Sequence, residues 1–222
     1  MKHMPRNPGG PLWRLAALSM AAALAGCGGS GGDTPAAPRL VVDDLAPGAY
    51  IASLGERANP TVGKYHAAED GSRYLVVADG LDQATAIYRR ATTGGDWVAV
   101  PGGQPAGAVK LLDHTRLPAA AVQPAQLAGS YRVRLPSGTS ARFSIAADGK
   151  ITPLGSACQI SGQVAAHGLP NSARLSLASS GCGNLLESGT GIVTIDADYA
   201  PAALRLLADN GSKLGELWAY AD

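Results

Sequence analysis

The chain has 222 residues, with 18 Lys+Arg against 17 Asp+Glu, and only 16% of its residues are charged. That near balance offers no basic patch, so nothing in it points to a nucleic-acid partner. Twenty-nine glycines, 15 prolines and the low charge favour short strands joined by turns over long surface helices.

Residues 1–26 have the three parts of a secretory signal: a basic start at Lys2, Arg6 and Arg14, an apolar run from Leu15 to Ala25, and small residues at the cut. The run is about 11 residues long, against the roughly 20 that span a bilayer, so it reads as a signal core and not a transmembrane helix. Its end, Leu24-Ala25-Gly26-Cys27, resembles the lipobox of bacterial lipoproteins at all four positions. The resemblance implies cleavage before Cys27, a diacylglyceryl thioether on its sulfur, and acylation of its new amino group. Two or more acyl chains of palmitate type anchor a protein stably, where one holds it only marginally. In that family an aspartate after the cysteine favours the inner membrane. Gly28 stands there, which implies a place in the cell envelope at the outer membrane. Ala23-Leu24-Ala25 also fits an ordinary secretory cut, so a secreted protein with an unmodified Cys27 is the alternative.

Loss of the segment removes three basic residues and no acid, leaving 15 basic and 17 acidic residues in the mature chain. With Cys27 lipidated, Cys158 and Cys182 remain as an even pair in an oxidising compartment, and they read as a structural disulfide. Such a bridge stabilises by about 3 kcal/mol in the chain-entropy model. A metal site is the poorer reading, because no CxxC spacing exists and His167 is the only histidine near either cysteine. A redox pair would place the two thiols close together near a helix start.

Residues 27–39 form a tether. Gly28 to Pro38 reads GGSGGDTPAAP, which buries no apolar surface and reaches roughly 20 Å as a random coil. Its G-x-S-x-G match is empty, since a nucleophile elbow needs a strand before the serine and a helix after it.

Residues 40–117 are expected to form a smaller β-rich half of five or six strands. The candidates are Ile51 to Leu54, Tyr74 to Ala78, Ala84 to Arg90, Trp97 to Val100 and Ala108 to Leu112, with Asn59 to Glu69 read as a polar excursion. Residues 118–126, rich in Ala, Gln and Pro, read as a linker. Residues 127–222 then alternate more clearly: Tyr131, Val133 and Leu135 point one way, Arg132 and Arg134 the other. Asp148-Gly149 and Asn210-Gly211 are hairpin signals. About eight strands at regular spacing predict an antiparallel meander closing into a small barrel, for an all-β protein throughout. Leu127 to Tyr131 repeats Leu45 to Tyr50 with one residue deleted, and Phe143 to Gly149 lines up with Tyr74 to Gly80, a weak sign of duplication.

The pattern from Gly129-Ser130-Tyr131 through Asp148-Gly149, Cys158, Gly162 and Cys182 resembles small β-barrel domains of proteobacterial envelope lipoproteins, over some 95 residues. That resemblance implies an architecture and an envelope location, and it pairs Cys158 with Cys182. It implies no reaction.

No catalytic residues are assigned. His66, His114 and His167 share no metal-ligand spacing, and no P-loop, HExxH or Rossmann motif occurs. Asp196 and Asp198 alternate along a strand and read as a solvated strand end rather than a cation site. Asp43-Asp44 and Glu69-Asp70 read as turn and edge residues. Trp97, Trp218, Tyr220, Tyr50, Tyr131 and Phe143 are expected mainly in the core, with a barrel mouth as their alternative role. No cofactor, metal site or ligand-binding residue is assigned. The expected function is a non-catalytic, lipid-anchored structural or interaction module, held to the membrane through Cys27 and meeting an envelope protein partner. A calyx for a small apolar ligand is the alternative. An envelope hydrolase would need a dyad assembled from scattered residues.

Overall fold

A computed structural model describes residues 39–102, 107–135 and 137–222. The signal segment 1–26, Cys27 and the tether from Gly28 to Pro38 lie outside the described residues. Runs of β-branched and aromatic residues broken by Gly-containing turns give sixteen strands, two short 3-10 helices and no α-helix among the described residues.

The first half contributes β1 (Val41–Val42), β2 (Gly48–Glu56), β3 (Asn59–Ala67), β4 (Arg73–Ala78), β5 (Ala84–Arg90), β6 (Val98–Val100), β7 (Ala108–Val109) and β8 (Leu111–Leu117). Six of these form an antiparallel sheet in the order β6-β5-β4-β3-β2-β8, while β1 and β7 pair in parallel. The second half runs β9 (Gly129–Arg134), β10 (Ser140–Ile145), β11 (Lys150–Pro153), β12 (Gln159–Ala165), β13 (Ser172–Ser180), β14 (Ser188–Thr194), β15 (Leu204–Asp209) and β16 (Leu214–Ala221). These eight strands are a meander closed into a barrel, with β16 pairing back onto β9 through Ala219 opposite Val133. The all-β expectation and the closing barrel hold.

Two first-half readings are corrected. Asn59 to Ala67 is a nine-residue strand and not a loop, paired with both β2 and β4. Its polar residues Lys64 and His66 find partners in the barrel half, a circumstance invisible to local patterning. The expected strand Ala108 to Leu112 is split between β7 and β8, and β8 runs on to Leu117 with mostly exposed polar residues because it is a sheet edge.

The barrel interior is filled. Phe143, Ile160, Leu175, Val193, Leu206 and Leu217 are each at most 2% exposed within one cluster fed by all eight strands. Burial of each such side chain contributes about 1.5–3 kcal/mol. β15 is buried on both faces: Leu204, Leu206 and Ala208 fill the barrel, while Leu207 on the opposite face packs with Tyr74, Val76 and Ile87 of the sheet. Strands covered on both faces read as continuous apolar runs rather than alternating ones. The stretch expected as a linker is tied down, since Asn171 bonds the Pro118 carbonyl and both polar backbone groups of Ala120. Val122 is buried in the barrel core.

The two halves begin with the same hairpin. Gly48 and Tyr50 of β2 lie opposite Ala67 and Tyr65; Gly129 and Tyr131 of β9 lie opposite Ile145 and Phe143. Each tyrosine donates its hydroxyl to the carbonyl four residues earlier, Tyr50 to Ala46 at 2.9 Å and Tyr131 to Leu127 at 2.8 Å. Both turns carry the same bonds. Ala68 N–H reaches the Ser72 carbonyl and Gly71 N–H the Ala68 carbonyl, as Ala146 reaches Lys150 and Gly149 reaches Ala146. Gly71 and Gly149 sit at φ +82 and +84, where only glycine is unstrained. Phe143 to Gly149 therefore matches Tyr65 to Gly71 without a gap. The expected match to Tyr74 to Gly80 fails because that segment belongs to the next strand, and its turn lacks this register. Following the pairing outward, β8-β2-β3-β4-β5-β6 corresponds to β16-β9-β10-β11-β12-β13. Among the described residues no strands correspond to β14 and β15, and the first sheet is open.

Candidate functional site

Cys158 and Cys182 are joined by a disulfide across 24 residues, which ties β12 to the end of β13. The sheet and barrel belong to one packed unit, and charged side chains meet across their seam.

Three polar clamps hold the seam. Lys64 of β3 donates to Asp196 at 2.7 Å and to Asp198 at 3.0 Å. Asp196 also caps the short helix Ala197–Tyr199, accepting from the Asp198 N–H. Asp196 is therefore not a solvated strand end, whereas Asp198 stays largely exposed, and the cation both meet is the Lys64 ammonium. Burial is the largest single influence at Asp196 and works against its charge, but the lysine bond, the Asp198 N–H and the lysine's charge together outweigh it and hold the carboxyl below its usual range. In the second clamp, Arg205 donates to Glu216 at 2.7 Å and to the Asp82 carbonyl at 3.0 Å, and Glu216 accepts the Ala84 N–H at 2.8 Å. The Arg205 guanidinium lies 4.7 Å over the Trp218 ring, so Trp218 packs outside the barrel and not at its mouth. Third, Arg89 of β5 grips Asp209 of β15 through two parallel bonds.

Beside this third clamp a cleft of about 400 Å³ opens between the sheet and the barrel. Its lining includes Asp70, Tyr74, Arg89, Arg174, Thr190 and Ile192. Arg174, outward on β13, is exposed and makes no hydrogen bond or ion pair among the described residues. Tyr74 is 4% exposed, and its hydroxyl has no partner among the described residues. Burial pushes that phenol up, so it stays a neutral donor. Asp70 accepts the Ser72 hydroxyl and N–H, which hold its carboxyl below the usual range.

The three described histidines sit in different settings. His114 lies on exposed β8, edge-on to Tyr50 at 5.6 Å. His66 is buried, with Nδ1–H donating to the Pro170 carbonyl at 2.8 Å and Nε2 unpartnered among the described residues. Desolvation pushes it down to about 4. His167 accepts the Leu169 N–H at Nδ1 and donates from Nε2 to Ser172 Oγ at 3.2 Å. Ser172 is fully buried and donates onward to the Leu169 carbonyl, so this Ser–His contact staples a turn and presents no nucleophile. Desolvation, then the nearby Arg174, pushes His167 down to about 4.

Among the aromatics, Phe143 and Tyr131 stack tilted at 5.7 Å inside the barrel, and Tyr50 and Trp97 pack in the sheet's own cluster. Tyr220 is 40% exposed. Asp44, expected at a turn or edge, instead accepts from Arg73 at 2.5 Å and from Arg90 at 2.6 Å, anchoring the segment after β1 across the sheet. The cleft residues Arg89, Arg174 and Tyr74 carry no sequence motif. Charges inside strand-forming runs, such as the arginines of ATAIYRR and the final Asp of LRLLAD, are the one local sign that partners wait across a seam.

No protein family, curated protein or solved structure matches this chain.

Proposed function

We propose that the protein is a non-catalytic lipoprotein of the cell envelope, held through acyl chains on Cys27 at the outer membrane, and that its folded part is an interaction module. One observation carries the reading. The disulfide takes Cys158 and Cys182, so the one cysteine outside it is Cys27, at the end of an apolar signal-like run in a four-residue lipobox. A disulfide also suits an oxidising compartment. Two cores filled by their own side chains and three polar clamps across the seam favour a rigid body over a catalyst with moving parts. The packed barrel interior speaks against an apolar calyx, which requires an open lumen.

Labelling cells with a tagged palmitate analogue is the test. Incorporation into the full chain, lost in Cys27→Ser and accompanied by an unprocessed precursor when lipoprotein signal peptidase is inhibited, supports the anchor. An unlabelled mature chain with a free Cys27 thiol, or cleavage elsewhere, overturns it.

A further inference from the structure

We propose that the cleft between the sheet and the barrel binds a small organic anion, with Arg174 and Arg89 holding its carboxylate or phosphoryl head. This goes beyond the anchored-module reading and stands independently of Cys27.

The donors are specific. Arg89 spends Nε and Nη2 on Asp209, which leaves Nη1 uncommitted among the described residues and fixes the guanidinium plane. Arg174 has no partner among the described residues, although Asp70 lines the same cleft. Two guanidinium groups lining one cleft, one preoriented and one unpaired among the described residues, suit a planar carboxylate or a phosphoryl group. Tyr74 also lines the cleft, but its hydroxyl is enclosed behind the surface and is not one of the head-group donors. Ile192 gives the wall an apolar side, against which the body of the ligand rests. His167 takes no part in charge, because its low pKa keeps it neutral at pH 7. The volume of about 400 Å³ suits a ligand of small-molecule size and excludes a folded partner.

Saturation-transfer NMR on the full chain in detergent, against a micelle-only blank, tests this with benzoate, phenyl phosphate and the uncharged benzamide. The expected result is saturable binding of benzoate or phenyl phosphate, the tighter one naming the head group, and none of benzamide. Arg174→Ala should weaken that binding at least about tenfold and Arg174→Lys less, both with unchanged thermal unfolding since Arg174 is exposed and unpaired. The proposal is overturned if neither anion binds below about 10 mM, if benzamide binds as well as they do, or if Arg174→Ala leaves the affinity unchanged.

Discussion

Arg89 and Asp209 meet across the seam through bonds of 3.0 and 3.1 Å, yet their surroundings differ: the carboxylate is 1% exposed and the guanidinium 36%. The pair is consequently asymmetric under mutation. Arg89→Ala strands a buried carboxylate with only the Gly211 N–H to bond it among the described residues, and should cost about 3 kcal/mol. Asp209→Asn keeps the shape and that N–H bond while the arginine turns to water, and should cost about 1 kcal/mol. Urea unfolding of both variants checks the order, and equal losses would show that the seam, not the buried charge, sets the cost.

The barrel was legible because its strands obey one rule each. In β13, Ala173, Leu175 and Leu177 fill the interior while Arg174 and Ser176 face out, and Asp148-Gly149 marks its own turn. The first half resists the same reading where a strand is covered on both faces or completed from elsewhere. β3 places Lys64 and His66 where its pattern should be apolar, and the groups that satisfy them, Asp196 and the Pro170 carbonyl, are over a hundred residues away. The cleft is less legible still. Arg89, Tyr74 and Arg174 come from three strands in both halves, and only the docking of sheet on barrel brings them together.

If the two opening hairpins are one unit used twice, their tyrosines should respond alike. Tyr50→Phe and Tyr131→Phe each remove one hydroxyl bond to a carbonyl four residues back, at a cost of about 1 kcal/mol. Gly71→Ala and Gly149→Ala should both cost more. Each forces a left-handed backbone, and the new Cβ meets backbone atoms, of Thr93 in one case and Val164 in the other. Thermal unfolding of the four variants decides; a large cost at one member of a pair and none at its counterpart would sink the equivalence.

The disulfide closes a loop across 24 residues, for which the chain-entropy estimate is about 3 kcal/mol. Cys158→Ala with Cys182→Ala should lower stability by up to that amount while leaving the barrel closed, because neither cysteine contributes to the β16–β9 closure. Circular dichroism with urea titration reads both quantities. Loss of the strand signal at zero denaturant would mean that the bridge is required for the fold itself.

Acid should weaken the seam before it touches the carboxylates. His66 is buried between β3 and the Pro170 turn, and its pKa is pushed down to about 4 from 6.5 by desolvation. The unfolded chain therefore binds a proton that the folded chain refuses throughout the interval between those values. Stability is complete above pH 6.5, falls as pH drops through the interval, and levels off below 4, where the penalty for this one residue approaches about 3 kcal/mol. His167 shares the direction and the interval. Asp44 and Asp196 act lower down, since their depressed carboxyls add stability above the ordinary value of 3.8 that is lost only as pH falls beneath it. Urea midpoints measured from pH 7.5 to 3.5 should decline first between 6.5 and 4. In His66→Asn, whose amide N–H can still reach the Pro170 carbonyl, roughly half of that decline should vanish while the loss below pH 4 persists. A wild-type profile flat to pH 4, or a slope unaltered by His66→Asn, would assign the acid sensitivity to groups other than this buried imidazole.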